Sequence, residues 1–273
     1  MCPCFKPCSD DFTLRRETSE IVDLDWGNLG FGIIQTDYEC VAKCGSDEIF
    51  SKGEVKPFGP ITRSPCAARV LNYGQGLFEG LKAFTRTDGS ILLSRPEVAI
   101  TRMRNGVERM CVAAPYQFVD AVHVLANKRW KGLCSVNLIV QDQFHHASLG
   151  GTGGVKPIGN YASVLEVQNI TKEKGYSGVL YLDVVHNKYL QEVSLCNYFS
   201  VKGNIMSVPA TKGTILPCIT RNSIIEVAQS KGFKVTEHLI SVHELLDADE
   251  VLCTGTAVVV SPLGNITYLE KRL

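Results

Sequence analysis

Gly150-Gly151-Thr152-Gly153-Gly154-Val155-Lys156-Pro157-Ile158-Gly159-Asn160-Tyr161 is a glycine-rich approach to a single amine, followed five residues later by a phenol. A lysine that forms a Schiff base must lose its proton near neutral pH, which requires a partly dry site poor in carboxylates. This stretch has no acidic residue until Glu166. A lysine taken by itself is more often a solvated ammonium on a flexible loop, because such groups are seldom buried. What sets Lys156 apart is its company further along the chain. A phosphate-cradling P-loop is excluded, since that pattern puts glycine directly before the lysine and Ser or Thr after it, whereas Val155 and Pro157 flank Lys156.

Working outward from this run, Ser135 to Gln141 has the pattern of a strand leading into the loop. Tyr161 to Lys174 then places apolar residues at helical spacing until Gly175 stops it. The sequence next predicts a strand over Val179 to Val185, a hairpin over Asn197 to Val208 turning at Lys202-Gly203-Asn204, and an amphipathic helix over Thr220 to Lys231 stopped by Gly232. Ser241 with Glu244 forms a capping box ahead of Leu245 and Leu246. Glu250 to Cys253 and Ala257 to Val260 complete a sheet. In the N-terminal half, short strands and loops precede Asp88-Gly89, which lies between the apolar runs Leu81 to Thr85 and Ile91 to Leu93 and signals a hairpin. Glu97 to Cys111 and Tyr116 to Trp130 follow at helical spacing. The expected class is α+β, with a small N-terminal domain over residues 1–132 and a larger domain over 133–273.

Composition excludes more than it identifies. At 273 residues and 45 % apolar, the chain can bury a substantial core. Its 28 basic and 28 acidic side chains cancel, which argues against a basic nucleic-acid surface. The longest apolar runs, Thr256 to Val260 and Gly178 to Val185, are far too short to cross a bilayer, so no membrane partner is expected. Eleven cysteines at irregular spacing, as in Met110-Cys111-Val112 and Val251-Leu252-Cys253, read as reduced core thiols. Cys2, Cys4 and Cys8 lack the partners of a closed zinc site, the first histidine being His123, so no metal is expected. The N-terminus has no apolar signal-peptide core, and Asp10, Asp11, Glu17 and Glu20 come too early for a clear plastid transit peptide.

Six blocks occur in a fixed order: Asn72-Tyr73-Gly74-Gln75-Gly76-Leu77-Phe78-Glu79-Gly80-Leu81-Lys82-Ala83-Phe84, Thr101-Arg102-Met103-Arg104, the lysine run, Gln191-Glu192-Val193, Gly213-Thr214-Ile215-Leu216-Pro217 and Cys253-Thr254-Gly255-Thr256-Ala257. Together they resemble the branched-chain aminotransferases, fold-type IV enzymes that use pyridoxal phosphate, and their plant forms in particular. One block would be weak; six in sequence are specific. The resemblance implies a small α+β domain before a larger α/β-barrel-like one, and a homodimer, since family sites form at a dimer interface. It also implies a soluble intracellular location, in a plastid or the cytoplasm.

The resemblance assigns roles residue by residue. Lys156 holds the cofactor and, once freed, moves the substrate proton as general base and acid. Glu192 lies against the cofactor ring nitrogen, which must stay protonated for the ring to draw electrons. Tyr161 hydrogen-bonds the phenolic oxygen of the cofactor. Ile219 and Thr220, opening a helix after Leu216-Pro217, offer amides to the phosphate, whose site Thr256 and Arg102 complete. Phe31, Tyr73 and Phe78 are the apolar walls for leucine, isoleucine and valine, and Thr256 and Ala257 flank the substrate carboxylate. The implied reaction is reversible ping-pong transamination with 2-oxoglutarate, yielding glutamate.

The chain also departs from that pattern. Between Trp130-Lys131-Gly132 and Ser135-Val136-Asn137 the family carries a few tens of residues absent here, among them a Tyr-x-Arg-Pro segment that lines the substrate site. A last helix beyond Leu273 is also expected in the family, and its loss would expose apolar surface. Cys218 replaces a glycine, Leu195 a small hydroxyl residue, and Pro157 follows the lysine directly. Two further readings therefore stand beside the first: a cofactor-binding or dimerising remnant without turnover, and a D-amino-acid aminotransferase or aminodeoxychorismate lyase chemistry on the same fold.

Overall fold

The structure, a computed structural model, describes residues 5–7, 38–43, 51–59, 68–112, 135–256, 259–269 and 271–272. Cys2, Cys4, Cys8, Phe31, Ala257 and the helix predicted over 116–130 lie outside the described residues. In chain order the elements are β1 (Phe5–Pro7), β2 (Tyr38–Val41), β3 (Glu54–Pro57), α1 (Arg69–Tyr73), β4 (Ala83–Thr85), β5 (Ile91–Ser94), α2 (Pro96–Arg109), β6 (Val136–Gln141), α3 (Gly159–Ala162) and α4 (Leu165–Glu173). They continue with β7 (Gly178–Leu182), β8 (Leu190–Val193), β9 (Asn197–Lys202), β10 (Ile205–Pro209), α5 (Ile219–Ser230), β11 (Lys234–His238), α6 (Val242–Leu246), β12 (Glu250–Gly255), β13 (Val259–Tyr268) and β14 (Lys271–Arg272). Two compact units result: Met1–Ala68 with Glu79–Lys131, and Arg69–Phe78 with Gly132–Leu273.

In the first unit β1, β5 and β4 form an antiparallel sheet, and β2 pairs with β3. The β4–β5 hairpin turns where Asp88-Gly89 predicted it. Gly89 has φ +82, which glycine adopts without steric cost, and the Asp88 carboxylate accepts from the Ser90 N–H at 2.8 Å and its hydroxyl at 2.6 Å. Helix α2 starts with Pro96, whose missing N–H costs nothing there. Its buried stripe is Ala99, Arg102, Gly106 and Val107, so the one charged member of that stripe needs a partner inside the unit.

In the second unit one mixed sheet runs β11-β10-β9-β12-β13-β6-β7-β8, with β14 added on β13, among the described residues. Its two edges approach each other: the Leu190 N–H donates to the Ile240 carbonyl at 2.8 Å, and Tyr189 bridges to Ser241. The sheet is therefore curled into a half-barrel. Alternation along β7 shows how it is filled. Leu180 and Leu182 enter a core with Leu138, Leu190, Tyr198 and Leu245, while Val179 and Tyr181 turn to the other face and pack with Val164 and Val167 of the α4 region. Helix α5 covers Phe199, Met206 and Val208 with Ala228.

Three predicted elements differ from the sequence reading, the first being the strand expected over Ala257 to Val260, which is β13 and runs on to Tyr268. The helix expected over Tyr161 to Lys174 is two helices, α3 and α4, separated at Ser163-Val164. Apolar spacing runs through the break, so periodicity alone could not see it; Val164 is buried as the pivot. The strand expected to reach Val185 ends at Leu182, because Asp183 folds the next residues into a turn. Its carboxylate accepts from the N–H groups of Tyr189 (2.7 Å), His186 (2.8 Å) and Lys188 (3.1 Å) and lies 2.9 Å from His186 Nδ1.

Burial pushes the Asp183 carboxyl up, but the backbone N–H groups of Tyr189, Lys188 and His186 and the His186 ring outweigh it and hold the group down at about 2. A carboxylate depressed by folding stabilises the fold above its unfolded value of about 3.9, and that contribution vanishes as pH falls through the folded value. Asp183→Asn should therefore melt below the native protein at pH 6. The gap in melting temperature between the two should close progressively as pH falls from about 4 towards 2.

Candidate active site

Lys156 sits in the loop that β6 feeds, and its Nζ donates to the Tyr161 hydroxyl at 2.7 Å. The same nitrogen lies 4.4 Å from the Phe78 ring centroid and 5.2 Å from that of Tyr161, and the two rings are 5.1 Å apart at 59°. The amine is thus held against two aromatic faces. The glycine-rich run is braced by Asn160, whose Nδ2 donates to the carbonyls of Thr152 (2.9 Å) and Val155 (3.3 Å) while its Oδ1 accepts from the Thr152 hydroxyl at 2.6 Å.

Pro157, a departure noted in the sequence, is accommodated by main-chain pairing. The Phe78 N–H donates to the Lys156 carbonyl at 3.3 Å, and the Ile158 N–H to the Gly76 carbonyl at 2.9 Å. Leu77 and Pro157 face each other in that bridge. The pairing uses the residues on either side of Pro157, so its missing N–H is not called upon.

A close approach fixes the loop against the next motif. A Cβ on Gly153 would lie 2.5 Å from the Ala147 Cβ and 2.7 Å from the Thr214 carbonyl oxygen, and one on Gly154 would meet Gly213 at 3.3 Å. Gly153→Ala should destabilise the protein by about 1–3 kcal/mol, the usual range for overpacking against neighbours that cannot yield. Chemical denaturation of the purified variant checks it.

Thr214 leads directly to Leu216, whose N–H donates at 3.0 Å to Oε2 of Glu192 on β8. Asn197 Nδ2 donates to the same oxygen at 3.3 Å and also reaches the Leu216 carbonyl at 3.3 Å. Oε1 of Glu192 lies 3.8 Å from His146 Nε2, and both side chains are nine-tenths buried. Three residues after Leu216, helix α5 begins at Ile219 with no side chain capping it, so the amides of its first turn are available to an anion. Cys218 at its N-cap has φ −66 and ψ 137. This is extended backbone that any residue adopts, so the replacement of glycine there costs no strain.

Thr256 follows β12, where the Thr254 hydroxyl donates to the Val259 carbonyl at 2.7 Å. Arg102 belongs to the first unit, where its Nε and one terminal nitrogen each donate at 2.6 Å to a different oxygen of Glu79. This bidentate pair, with the Arg102 side chain 7 % exposed, supplies the partner that the buried stripe of α2 required. Tyr73 is 82 % exposed and Leu195 69 % exposed. Neither has the setting of Phe78 beside the amine.

The structure thus joins Lys156, Tyr161 and Phe78 directly, and links Glu192 and the start of α5 to the lysine loop through the Gly153–Thr214 contact and Leu216. Sequence reasoning missed Asn160, Asn197 and His146. Asn160 was visible within the quoted run, but nothing in a sequence says that an amide will brace a loop. Asn197 and His146 carry no motif signal that would have singled them out.

The chain matches the family described as amino-transferase class IV over residues 137–266, from β6 through most of β13. Among solved structures, the branched-chain amino acid aminotransferase of Escherichia coli shares the fold with a TM-score of 0.66 at 23 % identity, covering 78 % of this chain and 83 % of that one. A holo-form branched-chain amino acid aminotransferase from Thermobaculum terrenum gives 0.67 at 16 % identity, with 78 % and 83 % covered. What the fold and the matched segment define is a class IV aminotransferase. At higher identity, the chain is 52 % identical to branched-chain amino acid aminotransferase 2, chloroplastic, of Humulus lupulus, over 99 % of this chain and 77 % of that protein. It is 51 % identical to branched-chain-amino-acid aminotransferase 5, chloroplastic, of Arabidopsis thaliana, over 94 % and 73 %. The chain belongs to the branched-chain amino acid aminotransferase family. The Humulus alignment runs over 318 positions, more than the 273 residues of this chain, so the relative carries internal residues with no counterpart here.

Proposed function

We infer that this protein is a branched-chain-amino-acid aminotransferase that moves the amino group of leucine, isoleucine or valine to 2-oxoglutarate, with pyridoxal 5'-phosphate as cofactor. The observation that carries the reading is the Lys156 amine bonded to a phenol and flanked by a ring, at the end of a loop packed on the segment that feeds Glu192 and the α5 N-terminus. The residues fit that cofactor: an amine for its aldehyde, a buried carboxylate for its ring nitrogen, and a helix N-terminus for its phosphate. When bound, pyridoxal phosphate supplies the electron sink for charge developing at the substrate Cα.

In the proposed assignment the protein does the rest. Lys156 Nζ takes the proton from the substrate Cα and returns it as the amino group moves. Tyr161 holds the amine in place through its hydroxyl. Glu192, fixed by Leu216 and Asn197, keeps a negative charge where the ring nitrogen needs its proton. The first amides of α5 at Ile219 and Thr220 hold the phosphate, with Thr256 completing its seat. Tyr73 and Phe78 form the apolar walls, and Thr256 receives the substrate carboxylate. Apolar walls favour branched aliphatic side chains, because a charged one would lose its hydration there.

Replacing Tyr161 by Phe should lower kcat about tenfold while leaving the fold intact. The expected loss is that of one hydrogen bond to a charged group, and steady-state kinetics with leucine checks it. The decisive experiment adds pyridoxal phosphate to the purified chain and follows the visible absorption of the bound cofactor. Leucine should bleach that band, and 2-oxoglutarate should restore it with glutamate formed. A folded protein with no band would overturn the assignment.

A second reading is favoured by one observation, the internal residues of the relatives that this chain lacks. It is a cofactor-binding protein without turnover, which would show the band and ignore leucine. D-alanine or aminodeoxychorismate in place of leucine tests the related chemistries. The proposal extends to a homodimer and to two domains over 1–132 and 133–273. No described helix is long and apolar enough to cross a membrane. A plastid location is proposed on the chloroplastic relatives, and fractionation of the tissue that expresses the chain tests it.

A further inference from the structure

His146 lies between β6 and the glycine-rich run, with its side chain 5 % exposed and neither ring nitrogen in a well-formed hydrogen bond, although the Ser194 backbone is close enough to act on the ring. Its Nε2 is 3.8 Å from Glu192 Oε1, and its ring lies tilted at 50° to that of Tyr181, centroids 5.5 Å apart. An imidazole so deep in a fold without a well-formed bond is uncommon, since buried polar groups are nearly always bonded. Its placement has one chemical sense. Oε2 of Glu192 is held by the Leu216 N–H and the Asn197 amide, and His146 faces the other oxygen.

We propose that His146 is a positioning residue for Glu192, its neutral imidazole turning Nε2–H toward Oε1 and so fixing the carboxylate in the orientation that meets the cofactor ring nitrogen. The inference rests on the aminotransferase reading and deepens it. Burial lowers the pKa of the ring, with the Ser194 backbone partly offsetting this, so the imidazole is neutral at physiological pH and carries one donor. The groups facing it are Glu192, the Ser194 backbone and the Tyr181 ring, whose own hydroxyl is held protonated by burial. A neutral donor suits this place. A second full charge beside Glu192 would compete with the ring nitrogen for the carboxylate, whereas an N–H favours the ionised carboxylate without neutralising it. A reduction of less than 1 Å in the 3.8 Å gap brings the pair into hydrogen-bond range.

The test is a double-mutant cycle on the full chain, with affinity for pyridoxal phosphate measured by fluorescence and thermal stability measured without cofactor. His146→Phe is expected to weaken cofactor binding about 10-fold, the lower end for removing a group that orients a ligand-binding side chain. The same substitution in a Glu192→Gln background should change affinity less than twofold. His146→Gln, which keeps a donor, should recover most of the loss. In the protein without cofactor, 15N-histidine spectra should show His146 as the Nε2–H tautomer, with a signal that moves on Glu192→Gln. Equal losses in both backgrounds, no loss in either, no recovery by Gln, or the opposite tautomer would each overturn the proposal. Failure of the parent chain to bind the cofactor would overturn the aminotransferase reading with it. Binding and leucine turnover with an additive cycle would sink the His146 proposal alone.

Discussion

Lys156→Ala should yield a folded protein whose kcat for leucine falls by about 10⁴-fold, the upper end for removing a positioned general acid–base. Its visible cofactor band should shift to that of unattached pyridoxal phosphate. The folded state should be nearly untouched, because the main chain here is held by Phe78 donating to the Lys156 carbonyl and Ile158 donating to the Gly76 carbonyl, neither of which depends on the Lys156 side chain. Only the amine bonded to Tyr161 and lying against Phe78 is lost. Added methylamine should restore part of the turnover by entering the space the side chain vacates. A Lys156→Ala protein that keeps more than a tenth of its activity would remove the lysine from the chemistry.

Glu192→Gln should lower kcat about 100-fold while the attached-cofactor band persists, the scale for losing one preorganised charged contact at a reacting group. Two effects combine. The negative charge proposed to keep the ring nitrogen protonated disappears, and the amide can turn an NH₂ toward the Leu216 N–H and the Asn197 amide, where only an acceptor is wanted. The loss should fall on kcat rather than KM, because the apolar walls for the substrate are unchanged. Retention of full kcat would mean that the carboxylate has no part in the proton balance of the ring.

Much of the fold was legible because local chemistry and tertiary packing agree. Asp88-Gly89 forces a turn by backbone conformation alone, and Lys202-Gly203-Asn204 separates β9 from β10 as expected. Ser241 caps α6 by accepting from the Glu244 N–H at 3.2 Å. Strand β11 and the short helix α1 went unassigned, since each is five residues with no periodicity to read. The break at Ser163-Val164 and the early end of β7 were hidden for a related reason: apolar spacing reports which face is buried, and says nothing of where a side chain such as Asn160 or Asp183 diverts the backbone.

For the candidate site the sequence named Lys156, Tyr161 and Glu192 through the order of motifs, and the structure brings the first two into contact. The site was opaque where a role depends on distance across the sequence. Arg102 was named through its motif, yet its bidentate pairing with Glu79 could not be foreseen from a separation of 23 positions. His146 shows the same limit more sharply, since only three-dimensional proximity connects it to Glu192.

The segment Arg69–Phe78 is built into the same body as the lysine loop, although some eighty residues separate Phe78 from Lys156 along the chain. A recombinant fragment cut at the obvious linear boundary, beginning near residue 135, would keep every strand from β6 onward and still lack the aromatic wall and the backbone partner of its key amine. On the ribosome, the early segment must wait for the later one to emerge before either is complete. Truncation studies that treat the two halves as interchangeable cassettes would read this entanglement as loss of catalysis, when what had been removed was a borrowed piece of wall.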